Sequence, residues 1–390
     1  VSFLYISHTS DLYGSGKALL NIMLKMKEIG VGVYIVLPVS KGELYNEIKK
    51  QKIPHSVLDV ISCVWPFPIK TRDYFLFPYR LFRFLYKKNR FEKDLLKKAA
   101  TIKPDIIHTN VGVIHAGHYV AKKLNIPHIW HIREYQDLHF GWKPYPSSSE
   151  FLRLLSEKNN YPISITNGIY KYHSLFQNKN SQVIYDGVFN INKIPEIKYL
   201  KKKYFLFVGL ISEGKGTEEV INSFISISNE LGDYELWIAG DGDIQYVEKL
   251  KQISLKFGLS DKIKFLGFRT DVYMLMSEAS ALIVSSKFEG FGFITAEAMF
   301  NGCLVIGRNT AGTKEQFDNG KAIYSCDIAL RYETSDELSF LLLNICQNGI
   351  DSHLKNITNA QETVVKLYSI QQNVKQILNK YKDILKYNEN

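Results

Sequence analysis

Short apolar runs alternate with longer amphipathic stretches along this chain, and the series occurs twice. In the first series Phe3 to Ser7, Val33 to Pro38, Ile106 to His108, Ile129 to His131 and Ser164 to Thr166 read as buried strands. Helical patterns such as Lys17 to Glu28 and Gly42 to Lys52 lie between them. From Ile184 to Lys203 the rhythm lapses into a polar, Pro-containing and then Lys-rich stretch, read as a linker. A second series follows, with strands at Tyr204 to Gly209, Glu235 to Ala239, Ile263 to Leu266, Ala281 to Val284 and Val305 to Gly307. Strand, helix and strand repeated in this way predict a parallel sheet covered on both faces. The expectation is an α/β chain of two doubly wound, Rossmann-like domains, residues 1–192 and 193–369. The last helical pattern, within residues 370–390, is expected to cross back onto the first domain. At 390 residues the chain has room for two such cores. Ligands of these sheets sit at the carboxyl ends of the strands, and in a two-domain version in the cleft between the domains.

Three strand-to-helix junctions carry residues suited to chemistry. The first runs from Ser7 to Lys17 and holds Gly14 and Gly16. Glycines there let backbone N–H groups approach an anion at a helix N-terminus, although many such turns carry glycine for steric reasons alone. In the second, Val208 to Gly216, Lys215 stands beside Gly216 at a helix start. A lysine so placed can neutralise charge on a leaving diphosphate; the alternative is a surface lysine in a turn. The third, Ser285 to Met299, is the most specific. A glycine-rich turn carries Glu289, and the helix after it carries Glu297 eight positions later. An ionised Glu289 accepts hydrogen bonds and so suits sugar hydroxyls, while Glu297 is placed to bind a vicinal diol such as ribose. The amides from Gly290 through Phe291, Gly292 and Phe293 to Ile294 point toward an anion at the helix start. Two acids drawn to a helix start by its dipole would be the plainer account, but it leaves Phe-Glu-Gly-Phe-Gly ahead of Ala-Glu-Ala-Met unexplained.

This arrangement resembles the Glu-x7-Glu motif of the family 4 retaining glycosyltransferases of GT-B fold. Further matches follow in order along nearly the whole chain: Tyr13-Gly14 with Leu19-Leu20-Asn21, Pro104-Asp105-Ile106-Ile107-His108, Ile184-Tyr185-Asp186-Gly187-Val188, Ala239-Gly240-Asp241-Gly242, Phe265-Leu266-Gly267-Phe268 with Asp271, and Ala311-Gly312. The resemblance implies two domains facing each other across a cleft, and a donor sugar linked to a nucleoside diphosphate such as UDP or GDP. It implies that Glu289 contacts the sugar hydroxyls, that Glu297 binds the ribose and that Lys215 holds the diphosphate. Gly14 and Gly16 would admit the close approach of the first loop. His131 would lie near the donor sugar, and the backbone around Phe268 and Arg269 would meet the nucleobase. It further implies front-face attack by an acceptor hydroxyl with retention of configuration, and neither metal nor cofactor. The family's usual arginine after the glycine of the second loop is Leu210 here, so its phosphate contact is missing or comes from elsewhere, with Arg269, Arg133 and Arg308 as candidates. A nucleotide-sugar epimerase or phosphorylase of the same fold, or a non-catalytic nucleotide- or glycan-binding module, are the alternatives.

The net charge of +10 is unevenly spread. Between Lys70 and Lys103 stand eleven Lys or Arg against three acids, interleaved with Tyr74, Phe75, Phe77, Tyr79, Phe82, Phe84, Tyr86 and Phe91. Such a stretch suits a helix lying on an anionic bilayer surface, or else a solvated helix with its aromatic side in the core. Nucleic acid is not expected, because no recognised binding motif accompanies the charge. A glycan or polyprenyl-linked acceptor fits a basic, aromatic first domain, as in assembly of bacterial envelope polysaccharide. Val1 to Ile6 reads as a first strand and not a signal peptide, and no apolar run reaches the roughly 20 residues that span a bilayer. The four scattered cysteines lack metal-ligand spacing and fit a reducing compartment, so a cytoplasmic location on the inner face of the membrane is expected.

Overall fold

The computed structural model of the chain describes residues 1–67 and 74–388. The chain divides into two compact units, Val1–Gly187 with Ile370–Asn390, and Val188–Ser369.

The first unit holds strands β1 (Ser2–Ile6), β2 (Gly32–Leu37), β3 (His55–Val57), β4 (Ile106–Thr109), β5 (His128–Ile132), β6 (Asn160–Ser164) and β7 (Gln182–Val183). All are parallel, in the order β3-β2-β1-β4-β5-β6-β7. Successive side chains of a strand point to opposite faces, so an all-apolar strand must be covered twice. Phe3 and Tyr5 accordingly pack with Leu19 and Met23 of helix Gly14–Glu28 and with Val374, Ile377 and Tyr381 of the terminal helix Ile370–Asn388. Leu4 and Ile6 pack instead with Phe91, Leu95 and Ala99 of helix Phe77–Ile102 and with Val120 of helix Ala116–Leu124.

The second unit repeats the plan with β8 (Lys202–Val208), β9 (Glu235–Ala239), β10 (Ile263–Gly267), β11 (Ala279–Val284), β12 (Val305–Arg308) and β13 (Leu330–Tyr332). Their order is β10-β9-β8-β11-β12-β13, again parallel throughout. In each sheet the strand order reverses once, beside β1 and β4 in the first and beside β8 and β11 in the second. A crevice opens at such a reversal because the connections leave in opposite directions.

Several expectations shift. The strand read at Ser164 to Thr166 is Asn160–Ser164; Thr166 instead caps helix Asn167–Tyr172 by accepting from Ile169 N at 3.3 Å. The short strands β3, β7 and β13 have two or three residues each and left too little periodicity to read. The division read at 192/193 falls at Gly187/Val188. Part of the stretch read as a linker is core, because Ile184 and Asp186 are fully buried in the first unit. Phe189, already in the second unit, stacks on Phe300 with ring centroids 3.8 Å apart.

Candidate functional site

The reversal point of the second sheet brings together the loops that follow β8 and β11. Ser285 Oγ donates to Lys215 O at 2.7 Å, and Lys287 N donates to Gly214 O at 3.2 Å. Gly216 sits between them with φ +71°, and a Cβ added there would stand 2.6 Å from Ser285 O. Only glycine meets both conditions without displacing the loop. Gly216→Ala is therefore expected to cost roughly 1–3 kcal/mol of stability; thermal melting would read it.

The two loops put Lys215 Nζ on Glu289 Oε1, a partly buried ion pair between residues 74 positions apart. Glu289 O in turn accepts from Gly312 N at 3.0 Å, which fixes the glutamate's backbone against helix Ala311–Tyr324. Gln316 of that helix donates from Nε2 to Phe291 O at 2.6 Å and to Gly292 O at 3.0 Å. With these carbonyls engaged, helix Phe293–Phe300 starts at Gly292 with no side chain capping it. The amides of Thr295 and Ala296 close its first turn on Gly292 O at 3.1 and 3.3 Å. The Phe291 side chain is buried edge-on against Tyr368, ring centroids 5.1 Å apart, so only its backbone can serve a ligand. Glu297 accepts from Tyr273 Oη at 3.0 Å. Phe268 is exposed, and Arg269 is paired with Asp271 at 2.5 Å. A cavity of about 330 Å³ lies beside Gly240, Gly242, Phe265 and Gly267, at the carboxyl ends of β9 and β10.

Leu210 is largely exposed, and the three arginines named as candidates for its place are already engaged. Arg308 pairs with Glu219, lies over Tyr332 at 5.3 Å and donates to Glu333 O at 3.1 Å. Arg133 is buried against Asp186 in the first unit. Arg269 has its bidentate partner in Asp271. Lys215 is thus the cation that the loops of the second unit bring to Glu289.

In the first unit Gly14 opens helix Gly14–Glu28, whose N-cap is the exposed Tyr13 with no side-chain cap. Gly16 packs where a Cβ would stand 2.2 Å from Asp11 O, so its role is a close backbone contact. His131 is fully buried near the end of β5, with Nδ1 3.2 Å from His108 Nε2. Burial and the Arg133 guanidinium hold its pKa well below the ordinary value. Beyond the strand, the buried Glu134 carboxylate accepts from Gly112 N at 2.8 Å, Val113 N at 3.2 Å and Arg133 N at 3.0 Å. Burial pushes it up to about 7 against those donors. It clasps the loop after β4 to the loop after β5.

Sequence reading missed Ser285, Gln316, Tyr273, Glu134 and Tyr381, which hold other groups in place. A weak signal existed for Gln316 alone, four positions after Gly312 on one helix face. Among the described residues no group of three or more His, Cys, Asp or Glu is arranged to hold a metal ion.

Residues 189–360 match the family model for glycosyl transferases group 1. Over 256 residues the chain is 24% identical to N-acetyl-alpha-D-glucosaminyl L-malate synthase of Bacillus anthracis, covering 63% of this chain and 65% of that protein. Over 143 residues it is 27% identical to N-acetylgalactosamine-N,N'-diacetylbacillosaminyl-diphospho-undecaprenol 4-alpha-N-acetylgalactosaminyltransferase of Campylobacter jejuni, 36% and 38% of the two chains. The chain thus spans less than two thirds of either relative. In fold it is similar to Anabaena Alr3699/HepE in complex with UDP, at TM-score 0.76 and 18% identity over 98% of this chain and 100% of that one. The same Anabaena protein is also known in complex with UDP-glucose, where the TM-score is 0.74 with 18% identity over 98% and 99% of the two chains. The chain has the two-sheet GT-B fold, and its residues 189–360 match the model for glycosyl transferases group 1.

Proposed function

We propose that this protein is a retaining glycosyltransferase that moves a sugar from a nucleotide-diphosphate donor to a hydroxyl of a glycan or lipid-linked acceptor, without a metal ion. The observation that carries the reading is the Lys215–Glu289 pair at the reversal point of the second sheet. A donor has opposite needs at its two ends. The diphosphate needs a cation and amides; the sugar hydroxyls need an acceptor. Binding would part the pair, moving Lys215 to the diphosphate and freeing Glu289 for the sugar. Glu297 then holds the ribose. In the transfer itself the acceptor oxygen bonds to C1 while the bond from C1 to the diphosphate oxygen breaks. The acceptor proton passes to that departing oxygen, and the nucleoside diphosphate leaves. The chain's part is positioning and stabilisation of the leaving charge. The UDP and UDP-glucose complexes of the Anabaena protein support a nucleotide-sugar donor, and the name of the Campylobacter relative supports a polyprenyl-diphosphate acceptor.

A panel of UDP- and GDP-sugars with lipid-linked and glycan acceptors tests this. Nucleoside diphosphate should appear only with acceptor present, and the product should keep the donor's anomeric configuration by proton NMR. Release without acceptor, or an inverted product, would overturn the reading.

An anionic membrane surface belongs to the same proposal, supported by helix Phe77–Ile102. Lys70, Arg72 and Asp73 of the basic stretch lie outside the described residues. In the rest, the helix buries Phe91, Leu95 and Ala99 and leaves Tyr79, Phe82 and Tyr86 exposed at 62%, 68% and 58%. At 100° per residue these three share one side with the exposed Arg83, Arg90, Lys93 and Lys97. A solvated helix with its aromatic side in the core would have buried those rings. Phe75, just before the helix, is 88% exposed. Aromatic rings with cations on one side match an anionic interface. Among the described residues no helix is long and apolar enough to cross a membrane. Flotation with phosphatidylglycerol vesicles is expected to carry the protein up, and Phe82→Glu with Tyr86→Glu to lower the bound fraction at least about fivefold. Equal flotation of the variant would exclude this face.

A further inference from the structure

A glutamate on a helix face keeps much rotamer freedom, and a ligand that uses it must first freeze it. Glu297 is held before any ligand arrives. Tyr273, the second residue of helix Val272–Glu278, donates from Oη to Glu297 Oε1 at 3.0 Å. The bond takes one of a carboxylate's roughly four acceptor positions and sets the direction in which the group faces. Direction matters for a vicinal diol, whose two hydroxyls ask for two acceptor positions at a set spacing.

Tyr273 is itself fixed, and by the helix that carries Glu297. Its ring meets Phe189 edge-on with centroids 6.4 Å apart, and Phe189 lies flat on Phe300 at 3.8 Å. Phe300 stands three positions after Glu297 on helix Phe293–Phe300, on the neighbouring turn. The contacts thus close a circuit from Glu297 through Tyr273, Phe189 and Phe300 back to the same helix. Helix Val272–Glu278 is pinned elsewhere too. Tyr204 Oη donates to Leu275 O at 2.6 Å. Lys201 Nζ donates to Ser277 O at 2.7 Å and to Gly302 O at 2.6 Å, which ties the ends of the two helices together. All these residues belong to the second unit. The ring contacts ask only for a phenyl group. Tyr273 is 40% exposed, so its hydroxyl could have been satisfied by water, and the fold does not require that it reach Glu297.

We propose that Tyr273 is a positioning residue that orients the Glu297 carboxylate for the 2′,3′-diol of a ribonucleotide, and so sets a preference for ribonucleotide over 2′-deoxyribonucleotide donors. The proposal rests on the reading above in which Glu297 meets the ribose; the role given to Tyr273 goes beyond it. Tyr273 acts through Glu297 and touches no reacting atom. It helps ground state and transition state alike, so its effect belongs to donor binding and not to the chemical step.

The test uses calorimetric titration of the full chain with UDP, GDP and their 2′-deoxy forms. Hydrogen bonds to a charged group predict that wild type binds the preferred ribonucleotide about 10- to 100-fold more tightly than its deoxy form. Tyr273→Phe keeps the ring and should reduce that preference about five- to tenfold. The loss should fall on the ribonucleotide, with the deoxy form bound within about twofold of wild type and the melting temperature within about 2 °C. In turnover the variant should raise donor KM by a similar factor with kcat within about twofold. Glu297→Ala should abolish the preference, and adding Tyr273→Phe to it should change nothing more, because Tyr273 has then lost the group it acts on. A Tyr273→Phe variant that keeps the full preference, that weakens both forms equally, or that adds its effect to Glu297→Ala would overturn the proposal. Wild type without a preference, or Glu297→Ala that keeps one, would instead overturn the ribose contact on which the proposal rests. Binding of neither nucleoside diphosphate by wild type would defeat the transfer reading as a whole.

Discussion

Replacing Glu289 by glutamine is expected to lower the transfer rate by about 10²- to 10³-fold while donor affinity changes little. The substitution preserves shape and the backbone contact that Glu289 O makes with Gly312 N, so the loop should hold its course. On the proposed transfer reading two things are lost. The carboxylate no longer accepts from the sugar hydroxyls with a full charge behind it, and charge-assisted hydrogen bonds are roughly twice as strong as neutral ones. The resting pair with Lys215 also goes, which leaves the ammonium free for the diphosphate before any donor arrives. These losses act on different quantities. Freed Lys215 favours donor binding, whereas the missing acceptor acts where positive charge grows on the sugar in the transition state. Calorimetry should therefore show a dissociation constant for the nucleotide sugar within about threefold of wild type beside a collapsed kcat. A variant with full activity would exclude Glu289 from the chemistry. One that binds donor more weakly and turns over normally would make it a ground-state contact.

How much of this was legible in the sequence depends on whether a signal was local. Strands buried on both faces, such as β1, β8 and β11, announce themselves as apolar runs. Glu289 and Glu297 announce themselves because a glycine-rich turn and the helix after it carry them at a fixed spacing. Lys215 was legible as a residue but not as the partner of Glu289, since 74 positions separate them and only the adjacency of β8 and β11 joins their loops. The same holds for Ser285 and Gln316, ordinary polar residues until the fold sets them on the backbone of Lys215, Phe291 and Gly292. The linker was misread for a related reason. A polar, Pro-containing stretch looks exposed, yet Asp186 within it is drawn into the core by a partner more than 50 residues away. The aromatic rings of helix Phe77–Ile102 show the limit of pattern alone, because helical spacing cannot tell a face that meets the core from one that meets another surface.

Asp186→Ala should be the most damaging single change to stability, at about 3–5 kcal/mol, because it leaves the Arg133 guanidinium buried without its counter-charge. Both side chains are almost wholly enclosed, so little water can replace the lost carboxylate. Burial alone raises the Asp186 pKa and Arg133 opposes that rise, which shows each partner depending on the other. For a unit of this size the loss corresponds to a fall in melting temperature on the order of 10 °C by calorimetry. Arg133→Met by itself should cost a comparable amount, since an unpaired carboxylate would then be buried. The two together should cost less than their sum, because the double variant buries no uncompensated charge, although Asn110 still loses a donor. Strict additivity, or single variants within about 2 °C of wild type, would mean the pair is hydrated in solution.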